Sequence, residues 1–288
     1  MKILLIGADG QLGTDIQKVI KSPELIPLTI SDIDITDKKS VDIIFEKYKP
    51  DIAINTAGYS QVDKSEEDDI SAFTLNAFAV KNLCLACKRH GTQLMHISSD
   101  YVFNGRTNKP YKETDIPSPG TVYGMSKLTG EFYVKELLDK YYIIRTCGLY
   151  GVRGCMGKGG GNFVENMINA SKEKPVIRVV GDQIVAPTYT HDLAEKLALL
   201  VRTGRYGIYH ITNSGKCSWY DFAKKIFELT KISVRLEKAS TAEFHSKANR
   251  PAFSVLENKN MQKAGIGGMR SWDKALEAYL IETKQLTP

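Results

Sequence analysis

The segment SPGTVYGMSKLTGEF sets Tyr123 four residues before Lys127. Residues at i and i+4 share a helix face, so a phenol and an ammonium placed there reach into one volume and can meet one ligand together. Tyr–Lys pairs at this spacing also arise by chance on amphipathic helices, so the pair gains meaning only from its surroundings. A third group offers itself in HISSDYVFNG, where Ser98 and Ser99 close an apolar strand. A hydroxyl at a strand end can hydrogen-bond a reacting carbonyl beside the tyrosine, and serves equally well as an ordinary turn residue.

A second constellation lies at the N-terminus. KILLIG runs straight into GADGQLG, with glycines at 7, 10 and 13. A turn that leaves a strand, opens a helix at once and brings its backbone against a pyrophosphate needs the dihedral freedom and close approach of glycine. The spacing GxxGxxG departs from the GxGxxG of many dehydrogenases, but its position in a βαβ unit is the context that gives such a triplet weight. A dinucleotide site also calls for a carboxylate near the end of the second strand. TISDIDITD supplies Asp32, Asp34 and Asp37, and leaves the choice among them open. No arginine stands beside the glycine turn, so NADPH and NADH both remain candidates.

The elements that must position these groups read as an alternation of apolar strands (KILLIG, LIPLTI, DIAINTAG, QLMHISS, YYIIRTCGLYG) with helical patterns. That pattern predicts an α/β fold with a doubly wound, Rossmann-like parallel sheet covered on both faces. The dinucleotide-binding core is expected over residues 1–150. A smaller C-terminal substrate-binding lobe is expected over 151–288, with some of its segments returning to the core. The glycine-rich GVRGCMGKGGGN between them reads either as a loop closing over a ligand or as a plain surface insertion.

Composition narrows the function classes. The 288 residues carry 39 Lys and Arg against 33 Asp and Glu, a net +6 without any dense basic block, which argues against a nucleic-acid surface. No apolar run approaches the ~20 residues of a membrane span, and the N-terminus lacks signal-peptide character, so a cytoplasmic protein without a membrane partner is expected. Five cysteines offer no disulfide framework. Cys84, Cys87 and His90 share a three-residue step, but they lie in a helical pattern with no second cysteine pair, so no zinc site is expected.

Taken together, GADGQLG, DIDITD, INTAGYSQVDKSEED, ISSDYVFNG, YGMSK, NFVENM, APTYTHDLA, SWYDFA and RPAFSVLEN resemble the extended short-chain dehydrogenase/reductases, and among them the dTDP-4-dehydrorhamnose reductases, over nearly the whole chain. The resemblance implies NADPH- or NADH-dependent reduction of the C4 keto group of dTDP-4-dehydro-6-deoxy-L-mannose. It casts Tyr123, Lys127 and Ser99 as the catalytic set, with Ser99 where relatives carry threonine. The ammonium of Lys127 would lower the phenol from its free pKa near ~10. On the cofactor side it implies Gly7, Gly10, Gln11, Leu12, Gly13, Asp34, Ile35, Ala57, Gly58 and Tyr59, together with Tyr123 and Lys127. On the sugar-nucleotide side it implies Val62, Ser99, Asp100, Tyr101, Tyr123 and, at the diphosphate, Arg250.

The chain departs from this family at RTCGLYG, where Gly148 stands in place of a tryptophan that packs on the sugar. Tyr150 or a residue of the 151–161 loop is expected to cover the sugar instead. Asp15 and His191 occupy the places of glutamates that hold a bridging magnesium in some relatives, so no obligatory metal is expected. A homodimer is left as the possible assembly. Epimerases and dehydratases share the glycine turn and the Tyr–Lys pair, but SSDYVF supplies a single acidic residue where dehydratases carry two. Reduction of another 4-keto sugar nucleotide, or cofactor binding in a non-catalytic regulatory subunit, are the competing readings.

Overall fold

The computed structural model describes residues 1–155 and 160–287. The first half runs β1 (Ile3–Ile6), α1 (Gln11–Val19), β2 (Leu25–Leu28), α2 (Lys38–Tyr48), β3 (Ile52–Asn55), α3 (Val62–Ser65) and α4 (Asp69–Phe73). The last of these continues through a π-helical turn (Thr74–Phe78) into α5 (Ala79–His90), followed by β4 (Gln93–Ser99), α6 (Val122–Leu137) and β5 (Tyr141–Thr146). The second half contains β6 (Leu149–Tyr150), α7 (Phe163–Glu173), β7 (Val176–Val180), β8 (Ile184–Val185), β9 (Thr188–Tyr189) and α8 (Thr190–Leu200). It ends with β10 (Gly207–His210), β11 (Cys217–Ser218), α9 (Trp219–Thr230), β12 (Arg235–Ala239), α10 (Lys259–Lys263) and α11 (Trp272–Glu282).

Six strands form one parallel sheet in the order β10-β5-β4-β3-β1-β2. The chain steps outward from β1 to β2 and then returns to its other side at β3. That reversal opens a crevice at the carboxyl ends, where doubly wound sheets take ligands. Each face of the sheet is covered, which is why β1 is apolar at all four positions. Ile3 and Leu5 pack with α1, α8 and α10 through Ile16, Leu193, Leu197 and Met261, while Leu4 and Ile6 pack with α2, α5 and α6 through Phe45, Leu83 and Val134.

Three segments past residue 150 belong to this sheet's surroundings. GIYH is the sixth strand, paired with β5, α8 lies against α1, and α10 packs on β10. The rest forms a separate apolar cluster of Tyr150, Val164, Ile168, Val179, Phe222, Leu276 and Leu280. The continuous helix Asp69–His90 is 22 residues long and contains an 18-residue window with a mean hydropathy of 1.4, apolar enough to pass for a membrane span, contrary to the reading from apolar runs alone. Its apolar side is spent inside the protein: Ala79, Val80, Leu83, Ala86 and Cys87 are fully buried between α2 and α6. Cys84 and Cys87 are part of that core, and burial pushes both thiols up, Cys84 to about 12.

Candidate active site

The catalytic helix is set by its first turn. Thr121 caps α6, its hydroxyl accepting from the Gly124 amide at 3.0 Å, and the Val122 amide reaches Glu66 at 3.0 Å. Gly124 answers a packing need, because a Cβ there would overlap the Tyr101 carbonyl. Gly130 does the same two turns on, where a Cβ would overlap the Asn76 carbonyl in the π-helical turn. With both side chains absent, α6 lies close along β4, and Tyr123 and Lys127 reach the strand end that carries Ser99.

Ser99 is buried, donates to Asp100 at 3.0 Å and accepts from the Tyr101 amide at 3.2 Å. Tyr123 is half-buried, with the Tyr101 ring edge-on at 5.5 Å. Lys127 is buried and donates to the Ile97 carbonyl at 2.6 Å. The expectation that Lys127 lowers the phenol is not met in this structure. Burial pushes Tyr123 up to about 12, with the Ser99 hydroxyl working in the opposite direction. Burial brings Lys127 down to about 8, against the pull of Glu131. Near neutral pH the site therefore holds a neutral phenol, the form able to give up a proton, beside a charged ammonium.

On the cofactor side, Gly7 has φ +79°, and a Cβ there would meet Thr56 Oγ1 at 2.8 Å and the Ala57 amide nitrogen at 2.9 Å. Gly10 caps α1, and a Cβ on Gly13 would overlap the Gly7 carbonyl. The first turn of α1, with Gln11, Leu12 and Gly13, thus sits directly on the strand-end turn with its amides at the crevice. Gln11 Oε1 and the Tyr59 hydroxyl are buried without a hydrogen-bond partner among the described residues. A glycine cradle, a helix N-terminus and these two open polar atoms fit a dinucleotide. Ala57 and Gly58 follow β3, and a Cβ on Gly58 would lie 3.6 Å from Lys127 Nζ. Asp34 is exposed and accepts from the Thr36 amide and hydroxyl, which holds its carboxyl below the usual range, while Ile35 behind it is buried. Asp32 is occupied in the same way by Thr29, and Asp37 caps α2.

On the substrate side, Asp100 is buried and its carboxyl is pushed up by that burial, offset by hydrogen bonds from Ser254, Cys147 and Ser99. Arg250 forks onto Asp63 of α3, one residue past Val62, with Nη1 to Oδ1 at 2.9 Å, and this pairing holds the Asp63 carboxyl low. Cys155 lies 3.5 Å from Ser60 Oγ and bears on the Tyr123 phenol, which brings the near end of the glycine-rich loop to the site. Residues 156–159 of that loop lie outside the described residues. Tyr150 does not cover the sugar. It is fully buried in the lobe core among Tyr189, Tyr279 and Phe222.

Asp15, one of the two places matched to magnesium glutamates, is buried against Thr190 at 2.5 Å and Lys18 at 2.9 Å. Among the described residues, one group has ligand atoms close enough for a metal: His191, Asp192 and Glu195. Asp192 there is already engaged by Arg270 and Asn213.

Several supporting residues lie outside the motifs read from the sequence. Asn76, in the π-helical turn, accepts from the Tyr59 amide at 2.9 Å and donates to the Tyr59 carbonyl and the Ser126 hydroxyl. Glu131 continues the Tyr123–Lys127 stripe by one more turn, and that spacing was there to be read. Fully buried, it takes a fork from Arg145 of β5, with Nε at 2.9 Å and Nη2 at 2.6 Å, and the Ser98 hydroxyl at 2.5 Å.

Comparison with known proteins agrees with this geometry. The family of the RmlD substrate binding domain matches residues 1–285. The spore coat polysaccharide biosynthesis protein SpsK of Bacillus subtilis is 41% identical over 98% of this chain and 97% of its own. A dTDP-4-dehydrorhamnose reductase of Aggregatibacter actinomycetemcomitans is 37% identical over 96% and 97%. The crystal structure of the dTDP-4-dehydrorhamnose reductase of Bacillus anthracis in complex with NADP, 39% identical, superimposes with a TM-score of 0.93 over 98% of this chain and all of that one. The sheet, the glycine cradle and the Tyr–Lys helix are thus those of a known group of enzymes, and the chain belongs to the RmlD family of NAD(P)H-dependent sugar-nucleotide reductases.

Proposed function

We propose that the chain reduces the C4 keto group of dTDP-4-dehydro-6-deoxy-L-mannose to give dTDP-L-rhamnose, with NADPH as the reductant. The observation that carries this reading is the convergence of Ser99, Tyr123 and Lys127 at the end of β4 beside a glycine cradle, in a chain with reductase relatives along its full length. Gly7, Gly10, Gln11 and Gly13 hold the pyrophosphate, and Lys127, with Gly58 leaving space beside its ammonium, holds the nicotinamide ribose. The chemistry that a bound nicotinamide supplies is a hydride for the carbonyl carbon.

The protein's own residues handle the oxygen. Tyr123 donates its phenolic proton to the carbonyl oxygen as negative charge develops there, and Ser99 hydrogen-bonds the same oxygen and fixes its direction. The nearby Lys127 ammonium stabilises the phenolate left behind until solvent returns the proton. No covalent intermediate is needed. Arg250 exchanges its fork on Asp63 for the substrate diphosphate, whose oxygens match a guanidinium. A cytoplasmic location and a homodimeric assembly belong to the same reading.

The test is turnover of this sugar nucleotide, generated in situ, followed by loss of the reduced-nicotinamide absorbance and by identification of the 6-deoxyhexose product. Gly148 supports a second reading, a different 4-keto sugar nucleotide of the same class. Cofactor oxidation with such a sugar and none with the mannose-configured one would select it. Cofactor binding without turnover of any 4-keto sugar would leave the regulatory-subunit reading.

A further inference from the structure

β5 ends at Thr146, which pairs with Ser99, so the next residues, Cys147 and Gly148, continue along the edge where the reacting carbonyl must sit. Gly148 has φ +56°, and its missing side chain would point at the C-terminal lobe. A Cβ there would lie 3.3 Å from Trp219 Cη2 and 3.3 Å from Pro187 Cα. The space beside the strand end is therefore filled by the outer edge of an indole that comes from another part of the chain.

Trp219 is held firmly. It is the first residue of α9, whose cap Ser218 forms a reciprocal box with Asp221. Its ring packs on Phe163 at 4.7 Å and on Phe222 at 6.2 Å. Phe222 is fully buried, whereas Trp219, Phe163 and Gly148 are each only half-buried. Phe163 begins α7 directly after the glycine-rich loop whose Cys155 touches Ser60. An anchored, partly open aromatic surface thus stands against Gly148, two residues past the Thr146 that pairs with Ser99.

We propose that Trp219, backed by Phe163, is the aromatic wall for the hexose ring of the sugar nucleotide, facing the place that Gly148 leaves without a side chain. This rests on the reading of the substrate as a nucleotide-linked deoxyhexose. The C–H face and methyl group of such a sugar are apolar and pack on an indole, while dTDP without the sugar leaves the wall untouched. Trp219 acts on specificity and takes no part in proton or hydride transfer.

The chain has two tryptophans, so Trp272→Phe leaves Trp219 as the single indole reporter. In that protein dTDP-L-rhamnose is expected to shift or quench the emission, and dTDP at equal saturation is not. In steady state, Trp219→Ala should raise KM for the sugar nucleotide ~10-fold while the affinities for dTDP and NADPH hold, and Trp219→Phe should stay within ~3-fold of wild type, the scale of one aromatic contact. Emission that responds equally to dTDP, or a KM unchanged in Trp219→Ala, overturns the proposal. Should Trp219→Ala fail to fold, the emission comparison still decides it. If the wild type does not turn over at all, the reductase reading falls, and the emission comparison with the dTDP-linked hexose judges the wall on its own.

Discussion

Replacing Glu131 by Gln removes one charge from the most deeply buried ion pair near the site. Glu131 and Arg145 have side chains 0% and 2% exposed, and the carboxylate takes two guanidinium bonds and the Ser98 hydroxyl. Glutamine keeps the shape and leaves the guanidinium charged, desolvated and uncompensated, a change that costs about 3–5 kcal/mol. Against a total stability of about 5–15 kcal/mol that is a large fraction. With an m-value near ~3 kcal/mol/M, the urea midpoint should fall by ~1–1.7 M. A second effect reaches the site. Glu131 opposes the burial that brings Lys127 down to about 8, so its neutralisation lets the ammonium lose its proton at lower pH. Because Tyr123 stays protonated up to about 12, the alkaline limb of kcat/KM, which reports the free enzyme, belongs to Lys127 and should move to lower pH in the variant. Replacing both partners, Glu131→Leu with Arg145→Met, should recover most of the stability, since an apolar pair of similar volume needs no compensation. A urea midpoint within ~0.3 M of wild type for Glu131→Gln, with the alkaline limb unmoved, would refute the reasoning.

Further outcomes follow from the same geometry. Gly124→Ala forces a methyl into the Tyr101 carbonyl, so the first turn of α6 must shift and carry Tyr123 with it; kcat should drop by ~10²-fold while the fold survives, as read by circular dichroism alongside turnover. His210 is buried, and that burial lowers its pKa to about 3 from an ordinary 6.5. The unfolded chain then binds a proton that the native one refuses, so stability contributed above pH ~6.5 is lost at ~1.4 kcal/mol per unit as pH falls toward ~3. His210→Gln should flatten the slope of unfolding free energy against pH by one proton across that window. Activity should survive exhaustive chelation, because the proton and hydride steps use Ser99, Tyr123, Lys127 and the dinucleotide; loss with EDTA and recovery with magnesium would contradict this.

What could be read from the sequence was whatever is local. The glycine turn was legible because a strand end, a positive φ at Gly7 and a helix start fall within a few residues. The Tyr–Lys stripe was legible because helix spacing fixes it without tertiary knowledge. Placing the ribose carboxylate was harder: three aspartates crowd one turn, and each makes a short-range bond of its own to Thr29, Thr36 or Lys39. Contacts between distant segments were out of reach. Asn76, in a π-helical turn, meets Tyr59 from 17 residues away, Arg145 meets Glu131 across a strand–helix boundary, and GIYH, past residue 150, pairs with β5 of the core sheet. The raised pKa of Tyr123 is not legible either: the Tyr–Lys spacing shows a neighbouring charge, while the burial that pushes the phenol up comes from the whole fold. Tyr150 failed as a sugar cover because four aromatic residues of the lobe converge on one core, Tyr150 among them.

The measurement closest to the central claim is kcat for wild type and Tyr123→Phe with NADPH and dTDP-4-dehydro-6-deoxy-L-mannose, with cofactor affinity measured in parallel. If Tyr123 is the proton donor, kcat falls by at least ~100-fold while NADPH binding is kept. A Tyr123→Phe protein that turns over within a few-fold of wild type would contradict the account, because the phenol would then not be the acid.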